Sequence, residues 1–282
     1  MRWDRDHRSS DVEDRRSWGP ARGGGGGGGL MVLFGLFRIF GWPGLAIGII
    51  VVVALQFCGD SGQSLSGDRQ TEAPAPNDEM GAFVGFVLDD AQDAWTRTFA
   101  ANGKTYERAK LVLFVDRVDS ACGLASAATG PFYCPRDHKL YIDLSFYQQL
   151  RDRLGAPGDF AQAYVIAHEV GHHVQNLLGQ LENGNDEGAN RGSVRTELQA
   201  DCYAGIWAHA TGQRDLLEHG DLAEAFRAAE AIGDDTLQKS GRGTVQPETW
   251  THGSSAQRQK WFRRGFENGR VDACDTFAAR DL

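Results

Sequence analysis

Basic residues are in deficit in this chain: 29 lysines and arginines stand against 38 acids, and from residue 58 onward the ratio is 22 to 33. A surface with that balance suits a phosphate backbone poorly, so nucleic acid is set aside as a partner. Cysteine is sparse as well, with five in 282 residues and no CxxC pair, which argues against a ribbon- or finger-type zinc site. Internal repeats are absent, which excludes a solenoid. Charge is missing altogether from Ile39 to Phe57, a run of 19 residues.

That last gap shapes the expected organisation. Leu30 to Phe57 carries one charge, Arg38, over 28 residues, more than the roughly 20 residues a bilayer-spanning helix needs. The run is too long for the apolar core of a signal peptide and no small-x-small cleavage site stands out, so an uncleaved transmembrane helix is expected over 30–57. Arg22 and Arg38 stand before the run and Asp60 is the first ionisable residue after it, which predicts a cytoplasmic N-terminus and an exported remainder, a single-pass inner-membrane arrangement. Residues 1–29, with six arginines, five acids and seven consecutive glycines, read as a disordered cytoplasmic tail, and 58–79 as a linker. Residues 80–282 suffice for one globular domain with a core. Cys58 ends the apolar run, and the bulky Phe57 before it argues against a lipidation signal.

The other four cysteines, Cys122, Cys134, Cys202 and Cys274, lie in the expected exported domain. An oxidising compartment allows two disulfides there: the short gap suggests a Cys122–Cys134 staple and leaves Cys202–Cys274 as the second.

Chemistry is concentrated in His168-Glu169-Val170-Gly171-His172. On a helix turning about 100° per residue, the two imidazoles lie within roughly 40° of each other and the carboxylate stands between them and the far side. Neutral imidazoles one turn apart take two corners of a zinc tetrahedron, and the Glu169 carboxylate is placed to accept a proton from water that the metal has acidified. The flanking segment 160–178 is strongly apolar and reads as a core helix, with Asp159 and Gln162 as a capping box. Ionisable groups on such a helix are costly to bury unless a cation satisfies them. His173 points elsewhere and reads as a structural hydrogen-bonding residue. A loop follows, then a helix from a Ser193 cap to Gly212 that carries Glu197 and Asp201 one turn apart. Either carboxylate is able to reach the metal while the other orients a ligating imidazole; Glu197 is taken as the ligand and Asp201 as the partner of His168.

The strings HEVGHHVQ, ELQADCYAG, THGSSAQRQKWF and GPFYCPRDHKLYIDLSF resemble the bacterial putative neutral zinc metallopeptidase family, over about residues 80 to 282. HExxH followed by ExxxD is also similar to gluzincin peptidases, a likeness that implies a zinc cofactor, Glu197 as third ligand, Asp201 behind His168, and a peptide or protein substrate. Thr251-His252-Gly253 resembles the Thr-His-Pro segment of membrane-associated gluzincins, with glycine in place of proline. From that resemblance His252 is a candidate donor to the oxyanion, beside a plainer role for the segment in starting a helix at Ser254 or Ser255. Arg258 reads as a structural anchor to the acidic site.

The expected fold is α+β, a zincin-like domain, mainly helical with a small sheet. Helices are predicted over 80–101 and 221–233, the latter with Asp221 and Glu224 as capping partners, and strands over 110–118 and 139–144. Lys139 to Leu144 is the candidate edge to which an extended substrate adds its backbone. The expected function is a membrane-anchored zinc metallopeptidase with Glu169 as general base. Two rivals stand beside it: a non-catalytic envelope binding module that zinc merely stabilises, and a deformylase-like amide hydrolase, which would use a Cys as third ligand.

Overall fold

The computed structural model describes residues 1–18, 78–181 and 189–282. Strand β1 (Val12–Asp14) comes first, then helix α1 (Glu79–Ala101), whose Asp78 cap accepts the Gly81 N–H. Its Phe83, Val87, Leu88, Trp95 and Phe99 recur near helical spacing and are buried, which is why the segment folds as a core helix. Next come β2 (Lys110–Phe114), the hairpin β3 (Arg117–Ser120) and β4 (Gly123–Ser126), β5 (Phe132–Cys134) and β6 (Lys139–Asp143). The remaining helices are α2 (Ser145–Asp152), α3 (Asp159–Leu177), α4 (Ala189–Gly212), α5 (Asp221–Ala231), α6 (Asp234–Arg242) and α7 (Ser255–Asn268). The α+β class with a small sheet is as expected.

The main sheet runs β1-β2-β6-β5, parallel except for β5, which pairs antiparallel with β6. The strand expected over 110–118 stops at Phe114 because Asp116 takes a positive φ of 62° and reverses the chain into the β3–β4 hairpin. Lys139–Asp143 is internal, with β2 on one side and β5 on the other, so it is not the free edge that was expected. Its Leu140, Tyr141, Ile142 and Asp143 are all buried, the pattern of a strand covered on both faces. The edges are β1 and β5.

The largest departure from expectation is at the start of the chain. Residues 1–18, taken as part of a disordered tail, are folded into the same compact unit as the described residues from 78 onward. Val12, Glu13 and Asp14 pair with Leu111, Val112 and Leu113, and Trp3 meets Phe83 edge-on at 5.2 Å. The charges that suggest disorder are matched instead: Asp11 accepts from Arg108 (2.6 Å) and Lys110 (2.7 Å), Glu13 from Lys139 (2.7 Å), and Arg16 pairs with Asp14 and Asp78. The Met1 ammonium donates to Asp159 (2.8 Å) and Asp221 (3.3 Å). The shared sheet joins the two flanks of the apolar run in one folded unit. The apolar run at 30–57 and the linker up to residue 77 lie outside the described residues, as do 19–29. Among the described residues no helix is long and apolar enough to cross a membrane.

Two glycine contacts bring the helices together. A Cβ on Gly171 of α3 would stand 2.9 Å from the Ala200 carbonyl oxygen, so α3 and α4 touch backbone to backbone there. On the other side of α4, Gly265 of α7 lies against the Cys202 carbonyl. Disulfides join Cys122 to Cys134 and Cys202 to Cys274, the pairing expected from spacing.

Candidate metal centre

The close approach at Gly171 sets Glu197 of α4 opposite the two imidazoles of α3. Glu197 Oε2 is 3.1 Å from His168 Nε2 and Glu197 Oε1 is 3.5 Å from His172 Nε2, and the three ligand atoms lie within 4.8 Å of one another. Tetrahedral zinc with bonds of about 2.0–2.1 Å spaces its ligand atoms roughly 3.3 Å apart, which these two separations bracket. The donor set therefore fits zinc.

Both imidazoles are held through Nδ1, which turns Nε2 toward Glu197 and would leave it to a bound metal. His168 Nδ1–H donates to Asp201 at 2.8 Å, and His172 Nδ1–H donates to Gln175 Oε1 at 2.8 Å. Asp201 in turn accepts from Tyr164 Oη (2.5 Å) and from both Nε and Nη2 of Arg258 (2.8 Å each). All three groups are buried, so the guanidinium offsets a carboxylate that would otherwise be expensive to enclose. Gln175 is oriented by donating to the Thr196 carbonyl (2.7 Å) and Gln199 (2.9 Å), while Gln199 donates to the Cys274 carbonyl. The Cys202–Cys274 disulfide thus sits at the far end of a chain of contacts reaching His172.

Electrostatics agree with a cation site. Burial alone would lower His168, yet Asp201 and Glu197 outweigh it and raise the imidazole to about 10. Burial opposes ionisation of Glu197 too, but His172 and His168 hold it well below the ordinary carboxylate range. Burial pushes Glu169 up, with the two imidazoles opposing. Glu169 has no hydrogen-bond partner among the described residues and lines the same 690 Å³ cleft as His168, His172, Glu197, His252 and Arg258.

His252 stands at that cleft with its side chain 49% exposed and Nδ1 3.2 Å from Asp234. Asp234 opens α6 and also accepts the N–H groups of Thr251 (2.7 Å), His252 (2.6 Å) and Gly253 (3.1 Å). Gly253 explains the departure from Thr-His-Pro: its φ is 89° and it donates an N–H, neither of which proline permits. Ser254 then caps α7 in a full capping box with Gln257. The sequence reading missed Asp234, Tyr164 and Gln199; Gln175 lay inside the HEVGHHVQ string without a role. His173 faces away from the ligand trio, toward Tyr133 and the Glu107 carbonyl.

Two imidazoles and a carboxylate from neighbouring helices, with Glu169 in the same cleft, form a candidate metal site of the HExxH type. The chain belongs to the family described as putative neutral zinc metallopeptidase, whose model matches residues 1–277 and so takes in the N-terminal strand as well as the domain. It is similar to the uncharacterized protein YpfJ of Escherichia coli K12, 47% identical over 98% of this chain and 99% of that one. It is also 50% identical to the uncharacterized protein Rv2575 of Mycobacterium tuberculosis over 63% of this chain and 65% of that one. No solved structure matches.

Proposed function

We propose that this protein is a zinc-dependent peptidase in which Glu169 is the general base. The observation that carries the proposal is the position of Glu169: a carboxylate with no protein hydrogen bond among the described residues, in one cleft with three groups that fit zinc. Zinc held by His168, His172 and Glu197 would supply Lewis-acid chemistry, polarising a carbonyl and acidifying water. Glu169 takes the proton from the attacking water and returns it to the leaving amine. Asp201 and Gln175 keep both imidazoles in the tautomer that leaves Nε2 free. His252, held through Nδ1 by Asp234, presents Nε2–H to the oxyanion when protonated. The β5 edge, which lines the cleft through Phe132 and Tyr133, adds the substrate backbone to the sheet.

Two disulfides favour an oxidising compartment for the whole described unit, residues 1–18 included, with membrane attachment through 30–57 as part of the proposal. The deciding experiment compares full-length wild type with Glu169→Gln on a quenched-fluorescent peptide library. Both should hold one zinc by elemental analysis, and the variant should lose about 10²–10⁴-fold in rate. Equal rates would overturn the mechanism, and zinc without turnover in either would return the non-catalytic module.

A further inference from the structure

His173 and Asn176 lie on the metal helix α3, and both reach one hydroxyl on the neighbouring strand. His173 Nε2 is 2.7 Å from the Glu107 carbonyl oxygen, which only accepts, so that nitrogen carries the proton. Nδ1 is then a lone pair, and the Tyr133 hydroxyl 2.9 Å away must donate to it. Asn176 Nδ2 donates to the same oxygen at 2.9 Å. Every proton in this chain has a single direction: amide to phenol, phenol to imidazole, imidazole to backbone carbonyl. His173 is fully buried and its ring is packed between Tyr106 and Tyr133, at centroid distances of 5.5 and 5.3 Å. Tyr133 is the central residue of β5, on the sheet edge, and it lines the cleft together with His172.

From this geometry we infer that the Tyr133 hydroxyl, gripped by His173 and Asn176, is a positioning group that sets the β5 edge against the metal ligands and so fixes the register of an extended substrate backbone. The inference rests on the peptidase proposal. The helix that carries two ligands also carries the two anchors, one residue and four residues beyond His172. Edge and metal are therefore indexed to one rigid element, and a peptide laid along β5 meets the ligand trio at a set residue. Without the hydroxyl, β5 keeps its antiparallel pairing to β6 and its Cys134 disulfide, but its tilt over α3 is unset.

The test uses zinc-loaded full-length protein and two inhibitors: acetohydroxamate, which reaches only the metal, and a Pro-Leu-Gly hydroxamate, which also lays a backbone beside it. In wild type the peptidyl compound should bind much tighter. Tyr133→Phe should retain one zinc and its affinity for acetohydroxamate, while losing at least tenfold in affinity for the peptidyl compound. Asn176→Ala should weaken the peptidyl compound less, and the double variant should fall short of the summed losses because both substitutions act on one hydroxyl. Unchanged peptidyl affinity in Tyr133→Phe overturns the inference while leaving the peptidase proposal standing. An equal loss for both inhibitors, or loss of zinc, also overturns it, because the hydroxyl then serves the metal site. If wild type binds the two inhibitors equally, β5 is not a substrate edge and the peptidase proposal loses that element as well.

Discussion

At the scale of single residues, the site is organised by pairs that fix which nitrogen carries a proton. Asp234 does this for His252. Its hydrogen bond raises the imidazole above its ordinary range against the opposing effect of burial. With Nδ1–H given to Asp234, Nε2 is a donor only while the ring is charged, so activity should fall as pH rises through that raised pKa. Asp234→Asn removes the support, and the alkaline limb of the kcat/KM profile should move to lower pH while zinc content stays at one; an unmoved limb would show that His252 is not the titrating donor. His168, Glu169, His172, Glu197 and Asp201 are legible in sequence because each group's spacing lies within one helix, where periodicity converts number into direction. Asp234 is invisible there, since 18 residues and a helix start separate it from His252 and no repeat links them. The tyrosines that touch the site, Tyr133 and Tyr164, look like any core aromatic in a one-dimensional pattern.

At the scale of elements, the candidate metal centre depends on how near α3 and α4 approach. Gly171 sits where a side chain would strike the Ala200 backbone. Gly171→Val should therefore cost roughly 1–3 kcal/mol in unfolding free energy from overpacking, and the displaced Glu197 should weaken zinc binding further. Calorimetry with and without chelator separates the two losses; a variant that melts like wild type and keeps its zinc affinity would show that the helices do not need this contact. Helix cores and approximate ends were readable from apolar spacing, and so was the Ser254 cap of α7, but the caps expected for α3 and α5 were not. Asp159 and Asp221, expected as local caps, instead meet the Met1 ammonium, and Glu224 of α5 accepts the Phe160 N–H at the start of α3. A side chain of the right type three residues from its partner is a local signal, and tertiary neighbours took it over. The strand expected at 139–144 was placed correctly but given the wrong neighbours, because hydrophobic pattern reports burial and not position within a sheet.

At the scale of the whole molecule, the N-terminal segment and the domain form one body, with consequences for sidedness. Residues 5 and 97 are both exposed in it. In a Cys58→Ser background, Arg5→Cys and Arg97→Cys should react with a membrane-impermeant maleimide from the same face of sealed vesicles; labelling from opposite faces would show that the sheet does not form in the membrane-attached protein. Composition misjudged residues 1–18 because density of charge was read as inability to fold. Here Asp11, Glu13 and Asp14 are held below the usual carboxylate range, burial notwithstanding, by lysines and arginines that the domain or the segment itself supplies. No count of charges reveals that the partners are a hundred residues away. The parallel pairing of β1 with β2 also imposes an order of events during biosynthesis. The first strand to leave the ribosome has to wait for residues 110–114 to emerge before it has a partner, and the amino group at the beginning of the chain waits for residue 221. Until then the nascent chain carries an unclaimed strand ahead of its apolar run. The sheet gains its β1 edge only after the chain on the far side of that run has been made.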